Sequence, residues 1–333
     1  MKTIISPTSF TPETGSVFKH YFDGLRLVFF DIATTGLSPN ACPVILAGSY
    51  SPADETICQL FCERPEDEAE LLESFSNTLT AADVLVSFNG NSFDLPFMQA
   101  RIKQLGLSIQ PPICQKLDLY RLLEHYSGLR QHLPDLRQKT IERYLGLDHL
   151  RTDTIDGSEI ISLYTRWLRQ QDETARSTIL LHNADDVRQL AGLLPILRLI
   201  DLHQALYHEG FTVTCANRRF FPRRIRFNRH NLTVEGHTRC LAGDYYDFSV
   251  SFQAIHKKSD ASLILEVPLE QVADNWICDL YALPGDYSKL SRLPEHQSGY
   301  LILRDSKGIR HAAVNGLILG LSRSVLEQIE EQF

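Results

Sequence analysis

Leu25-Arg26-Leu27-Val28-Phe29-Phe30-Asp31-Ile32-Ala33-Thr34-Thr35-Gly36-Leu37 is the stretch on which the reading of this chain turns. Its apolar run, Leu27 to Phe30, is too short for an ordinary helix and apolar on both faces, which predicts a buried strand. The strand delivers Asp31 to its end, and Thr34-Thr35-Gly36 then turns the chain. A lone carboxylate at the end of a core strand is costly unless it is paired or binds a cation. Ala33 lies two residues on and shares a face with Asp31. A second carboxylate there would make a metal site, but the chain has a methyl group instead.

Outward from this strand, residues 1–24 read as an irregular lead-in with one helical turn near Val17 to Phe22. Val44 to Tyr50 and Thr56 to Cys62 read as two further strands, joined through the turn at Ser51-Pro52-Ala53-Asp54. Pro65-Glu66-Asp67-Glu68 opens a helix, with proline and solvated acids in its first turn. Asp83 to Phe88 is a fourth strand. It runs into the turn signal Asn89-Gly90-Asn91 and a helix that starts near Asp94 and ends at Gly106. Cys114 to Tyr120 supplies a fifth strand with Asp118. Helices are expected at 119–126, 133–145 and 157–168, and a long one from Glu173 to His208, bent at Pro195. After Gly210 the texture changes to short alternating apolar stretches. They run from Phe211–Cys215 to His311–Val314, with a closing helix at 322–333. The expected fold is therefore α/β, a mixed five-stranded sheet with flanking helices over 1–208, followed by a smaller β-rich domain over 209–333.

The acids carry the chemistry. Asp31 ends the first strand, Asp94 follows the fourth, and His182 and Asp186 share a face of a later helix. Each has an ordinary structural alternative: a helix cap for Asp94 and Asp118, a surface hydrogen bond for the His182/Asp186 pair. Three carboxylates converging from separate elements can hold hard divalent cations, Mg²⁺ or Mn²⁺. Two such ions clamp the attacking and leaving oxygens of a phosphodiester, and a histidine beside them can take a proton from water.

These segments resemble the DEDD group of 3′–5′ exonucleases, which have the ribonuclease-H-like fold of DnaQ-like nucleases. Asp31-Ile32-Ala33-Thr34-Thr35-Gly36-Leu37 is similar to the first exonuclease motif, D-x-E-T-T-G-L. Asn89 to Phe97 is similar to the second, and His182-Asn183-Ala184-Asp185-Asp186-Val187 to the third. The stretches 117–120, 141–147 and 156–160 further resemble the branch containing a bacterial mitomycin-repair exonuclease. The resemblance spans about residues 25–200. It implies Asp31, Asp94 and Asp186 as metal ligands for two divalent cations, and His182 as general base. Thr34, Thr35, Gly36 and Leu37 would lie against the terminal nucleotide, with Asn89 and Phe93 as further substrate contacts. It also implies a nucleic-acid substrate with a 3′ end, DNA over RNA, with a helicase or repair partner by resemblance alone.

Two departures stand out. Three residues, not four, separate His182 from Asp186, and one helical residue changes direction by about 100°. Position 33 is Ala where the motif has Glu. The chain is then either an engineered inactive form of a working exonuclease or a naturally degenerate one that only binds. The retained acids and intact Thr34–Leu37 favour the former at this point. An RNA exonuclease is a further alternative.

Arg218-Arg219-Phe220-Phe221-Pro222-Arg223-Arg224-Ile225-Arg226-Phe227-Asn228-Arg229-His230 is a second dense feature. Its arginines can neutralise phosphates while aromatic faces stack on unpaired bases. Arg218, Arg219, Arg223, Arg224, Arg226 and Arg229 are therefore nucleic-acid contact candidates; the structural alternative is a basic strand docked on acidic surface. Tyr245, Tyr246 and Trp276 read as core residues of the β-rich part.

The bulk properties are compatible with this. The formal net charge of −8 argues against a general nucleic-acid coat protein. Residues 210–333 carry 15 Lys+Arg against 14 Asp+Glu, leaving −9 on the remainder. A nuclease whose carboxylates meet cations can be acidic overall. The seven cysteines are scattered without a C-x-x-C pair, which fits reduced thiols better than disulfides or a zinc site. No apolar run approaches the ~20 residues that span a bilayer. The N-terminus lacks a long apolar core, so a cytoplasmic protein is expected.

Overall fold

A computed structural model describes every residue except Ser9, Thr11, Thr154, Arg229 and Phe333. Arg229, a nucleic-acid contact candidate, thus lies outside the described residues. The chain divides into two compact units, Met1–Ile200 and Asp201–Phe333.

In the first unit, β1 (Lys2–Pro7) and α1 (Ser16–Phe22) precede β2 (Leu27–Thr34), β3 (Val44–Ser51) and β4 (Thr56–Phe61). Then come α2 (Glu68–Thr80), β5 (Val84–Ser87), α3 (Asp94–Gln104), β6 (Gln115–Asp118) and α4 (Leu119–Tyr126). The unit continues with α5 (Gln138–Tyr144), α6 (Ile160–Gln170) and α7 (Glu173–Gly192). The sheet has six strands, not five, in the order β1-β4-β3-β2-β5-β6. The first four pair antiparallel, while β5 and β6 continue parallel to β2. The added strand is β1, which lies at an edge against β4 with most of its side chains exposed. An edge strand of that kind buries no face, so the expected lead-in showed no alternation.

β2 sits in the middle of the sheet, and Phe29 and Phe30 are fully buried. Its register places Asp31 opposite Gly48 of β3. Two other expectations change. The helix expected over 133–145 shrinks to α5, because Pro134 lies where helix would otherwise continue. The long helix over 173–208 is broken: α7 ends at Gly192, a 3₁₀ turn with Pro195 follows, and α8 (Leu202–Glu209) starts anew. The acids opening α2 are not all solvated. Glu68 is buried and takes a bidentate pair from Arg101 at 2.8 and 2.5 Å, and it also accepts the Val44 N–H at 2.8 Å.

The second unit begins with α8 and a six-stranded antiparallel sheet ordered β10-β11-β12-β9-β8-β7. Its strands are β7 (Val213–Cys215), β8 (Arg218–Phe227), β9 (Asn231–Arg239), β10 (Tyr245–Phe248), β11 (Gln253–Lys257) and β12 (Ser262–Pro268). A smaller sheet holds β13 (Glu270–Val272), β14 (Asn275–Asp279), β15 (His296–Gln297), β16 (Tyr300–Asp305) and β17 (Gly308–Ile309). The closing helix α9 (His311–Gln332) is longer than expected and takes in His311–Val314, read above as strand. It is buried along much of its length and packs on α8, β7 and β16. A short apolar run cannot tell a buried helix from a strand by periodicity alone.

Candidate active site

The site is built at the end of β2. Asp31 Oδ2 accepts from Asn183 Nδ2 of α7 at 3.0 Å. Asn183 Oδ1 accepts from Gln59 Nε2 of β4 at 3.0 Å, and Gln59 also donates to the Leu180 carbonyl at 2.8 Å. A line of amides thus ties β4, α7 and β2 together and aims Asp31. Gly48 makes room for it, since a Cβ there would stand 2.0 Å from Asn183 Oδ1.

Asp94 is the first residue of α3, where the helix N-terminus favours negative charge. Its Oδ1 accepts the Ile32 N–H at 3.1 Å, one residue beyond Asp31. Burial pushes the Asp94 carboxyl up to about 7, and the charge of Asp118 adds to it. Burial also drives Asp31 well above the usual carboxylate range, and the charges of Asp94 and Asp186 push the same way. Asp186 is raised by burial and held back by His182 and Arg151. Asp31 thus feels the charge of both other acids, with Asp94 buried and Asp31 and Asp186 partly exposed.

For Asp94 the sign of the pH dependence follows. A carboxyl whose folded pKa is raised binds its proton more tightly folded than unfolded. That stabilisation is complete below about pH 4 and is lost as pH rises through about 7, at no more than about 1.4 kcal/mol per pH unit. Asp94→Asn keeps the acceptor for Ile32 and removes the titration. In EDTA its urea midpoint should fall less than that of the parent between pH 5 and 8, and should exceed it at pH 8. Parallel midpoints for the two proteins would refute the shift.

His182 is held at both ring nitrogens. Nδ1 lies 2.5 Å from Asp153 Oδ2, and Nε2 lies 3.2 Å from Asp186 Oδ2. Burial works against the Asp153 charge, but His182 and Arg151 outweigh it and hold that carboxyl below its usual range. Arg151, like Asp153, is a residue that sequence reasoning missed. Its guanidinium makes a bidentate pair with Glu142 at 3.0 and 2.7 Å, reaches Asp153 at 2.8 Å, and bonds Asp186 Oδ1 at 2.7 Å. An Arg-x-Asp stretch just before the 156–160 segment was the only signal. Asp185, the neighbouring acid of the third motif, is structural: it accepts the backbone N–H groups of Thr152 and Asp153.

Ala33 and Thr34 straddle a register shift between β2 and β3. The Ala33 methyl packs against the apolar cluster of Ile160, Tyr164, Trp167 and Ile179. Thr34 Oγ1 donates to the Gly36 carbonyl at 2.7 Å, and Thr35 N–H to Pro43 O at 3.2 Å. A Cβ on Gly36 would stand 2.7 Å from Cys42 Sγ. Leu37, just past the turn, is 85% exposed. Asn89 takes a left-handed φ of 67°, and Asp118 holds its turn by accepting the Asn89 and Asn91 N–H groups at 2.8 and 3.0 Å. Asp118 also caps α4, so it serves the fold. The Phe93 ring leans on Phe97 at 5.5 Å.

These residues do not fit two divalent cations as they stand. Position 33 offers a methyl group, and Asp186 already carries a guanidinium. No cluster of three or more His, Cys, Asp or Glu side chains is arranged to hold a metal ion among the described residues.

A family model described as RNase_H superfamily matches residues 28–198, from β2 through the 3₁₀ turn after α7. The chain belongs to the RNase_H superfamily. Its six-stranded mixed sheet with flanking helices is the fold expected of a ribonuclease-H-like domain, and the antiparallel sheets of the second unit make the rest β-rich, as expected. Solved structures similar to this RNase_H-superfamily chain include the family B DNA polymerase of the hyperthermophilic archaeon Pyrobaculum calidifontis. It is 21% identical, covering 52% of this chain and 24% of the polymerase, with a TM-score of 0.44. E. coli Exonuclease I in complex with a dT13 oligonucleotide is 10% identical over 63% of this chain and 55% of that one, with a TM-score of 0.36. Scores of that size decide nothing about activity. Among curated relatives, the pimeloyl-[acyl-carrier protein] methyl ester esterase of Salmonella newport (strain SL254) is 36% identical over 83 residues, 25% of this chain and 27% of the esterase. The chain thus spans about a quarter of the length of the curated relatives it matches. So local a likeness carries no activity across. No helix among the described residues is long and apolar enough to cross a membrane.

The arginine segment divides along β8, before and after a bulge. Arg218 pairs with Glu330 of α9 at 2.6 Å, and Arg219 donates to the carbonyls of Ala216 and Arg218 at 2.8 and 3.0 Å. Phe220 and Phe221 are buried in the core, so neither is open to stack on a base. A bulge between Pro222 and Arg224 then shifts the register, and Arg223, Arg224 and Arg226 emerge exposed.

Proposed function

We propose that the RNase_H-superfamily part of the chain, about residues 1–208, binds the 3′ end of a nucleic-acid strand, DNA in preference to RNA, and with Ala33 in place holds that end rather than hydrolysing it. The observation that carries this reading is the Arg151–Asp186 bond beside the Ala33 methyl. One acid of the expected ligand set is neutralised from within the protein, and the position of another is part of an apolar cluster. Both features support a site shaped around Ala33 more than a working nuclease altered at a single residue. Thr34 to Leu37, Asn89 and Phe93 are the proposed contacts to the terminal nucleotide. Residues 209–333 are proposed as an accessory nucleic-acid-binding region, and a role in DNA repair follows from the motif resemblance.

A second reading has its own support. Buried Asp94 and partly buried Asp31 and Asp186 would set three acids against one another, a repulsion that divalent cations would relieve. On that reading the chain is a metal-dependent 3′–5′ exonuclease whose activity belongs to the Ala33→Glu variant. The test is fluorescence anisotropy in EDTA on an oligonucleotide with a free 3′-hydroxyl and on the same oligonucleotide blocked by a 3′-phosphate, followed by addition of Mg²⁺ or Mn²⁺. Tighter binding of the free end without release of nucleotides is expected. Trimming by the unaltered chain would overturn the reading that it holds the end without hydrolysis, and failure to bind any oligonucleotide would remove both.

A further inference from the structure

The larger sheet of the second unit has one face packed on its core and one largely open, with Thr233 buried on it, and the pairing register shows what shares the open face. Tyr246 of β10 lies opposite Ile255, Ile255 opposite Ile264, Ile264 opposite Glu235, and Glu235 opposite Arg224. One step along, Phe248 leads through Gln253, Glu266 and Thr233 to Arg226. Directly opposed residues on successive strands project to the same side of a sheet. Tyr246, Phe248, Arg224 and Arg226 therefore stand on one surface. The residues between these rows, such as Ala254, Leu263, Leu265 and Val234, are buried on the other.

The aromatic pair is presented rather than packed away. Tyr246 is 51% and Phe248 66% exposed, and their rings stack with centroids 6.5 Å apart and planes 18° from parallel. This corrects the expectation that Tyr246 belongs to the core; only Tyr245 does. At the other side, Arg224 and Arg226 are each more than half exposed and lie 3.1 and 4.0 Å from the single carboxylate of Glu235. Glu266, in the Phe248 row, is a second acid on this face, and Lys257, opposite Ser262 and His237, adds a further cation to it. Beside them a depression of about 320 Å³ is lined by Arg223, Arg224, His237, Ser262 and Ile264. From β10 to β8 is four strand spacings, about 19 Å at ~4.8 Å each.

We infer that this open face is a platform for a single-stranded nucleic acid, with bases stacking on Tyr246 and Phe248 and the phosphate backbone running towards Arg224 and Arg226. Aromatic rings accept any base through its π-face, and guanidiniums neutralise phosphates, so the combination grips a strand with little sequence preference. Duplex would present its phosphates but no free base face, so single strands are the class that engages both ends of the platform. The inference rests on the nucleic-acid reading above, but it names a site in the other unit.

The test uses the full chain and fluorescein-labelled dT12 and rU12 across a salt series. Tyr246→Ala with Phe248→Ala should weaken binding by at least about tenfold and leave the salt slope unchanged. Arg224→Ala with Arg226→Ala should weaken it and lower the slope by about 1.4, since each phosphate contact to a single strand contributes about 0.7. All four positions are exposed, and circular dichroism checks that the variants fold. If the parent binds and the aromatic variant binds equally well, the platform is overturned while the nucleic-acid reading stands. If the parent binds neither oligonucleotide, that reading falls and the platform with it.

Discussion

Arg151→Met should lower the stability of the first unit by about 3–5 kcal/mol, the usual cost of removing one member of a buried ion pair. The Arg151 side chain is 8% exposed, and its partners Glu142 and Asp153 are 1% and 0% exposed. Without the guanidinium two buried carboxylates lose their main counter-charge, and His182 and Lys139 can compensate only Asp153. Glu142 has Gln138 Nε2 at 3.1 Å, a neutral donor that does not balance its charge. Adding Glu142→Gln to the Arg151 variant should restore part of the loss, because the orphaned charge is then gone as well. Urea midpoints of the parent, both single variants and the double variant close the cycle. An Arg151→Met unfolding free energy within about 0.5 kcal/mol of the parent would mean that the cluster contributes nothing to the fold.

Ala33→Glu should produce the largest change in activity. On the exonuclease reading, metal-dependent release of nucleotides from a 3′ end should appear in the variant, with the parent lower by at least about 100-fold. Residue 33 shares the face of Asp31 on β2, so a carboxylate there adds to the same site. Two features of this chain resist it: the Ala33 methyl belongs to an apolar cluster, and Asp186 is engaged by Arg151. The variant should therefore be less stable than the parent, and its activity should need millimolar Mg²⁺ or Mn²⁺. If the variant stays inert with either metal on single- and double-stranded DNA and RNA, the enzyme reading is abandoned. The binding reading is untouched by that result, since it concerns the parent.

How much was legible in advance depended on whether a residue's role was local. Leu27–Phe30 announced a core strand because fully buried strands are apolar on both faces, and the fold places Phe29 and Phe30 there. Asp31, Asp94 and Asp186 were visible as acids on a strand end, a helix start and a helix face, and the fold brings them within reach of one another's charge. β1 was not visible, because an exposed edge strand buries too little to leave a pattern. The first turn of α9 was misread as strand, because a stretch as short as His311–Val314 fits either structure.

The arginine segment shows the same division. Its composition was plain, but which arginines are open and which phenylalanines are core depends on the bulge after Pro222 and on the pairing of β8 with β9. By itself the sequence determined the family and the placing of Asp31 at a strand end, Asp94 at a helix start and Asp186 on a helix, since these reside in short motifs and local periodicity. Only the tertiary structure decided that Arg151 lies on Asp186, that Asn183 and Gln59 aim Asp31, and that Tyr246 shares a face with Arg224. Each of those contacts joins residues far apart in the chain. No local pattern encodes such a meeting, because it is set by strand register and helix packing over the whole unit.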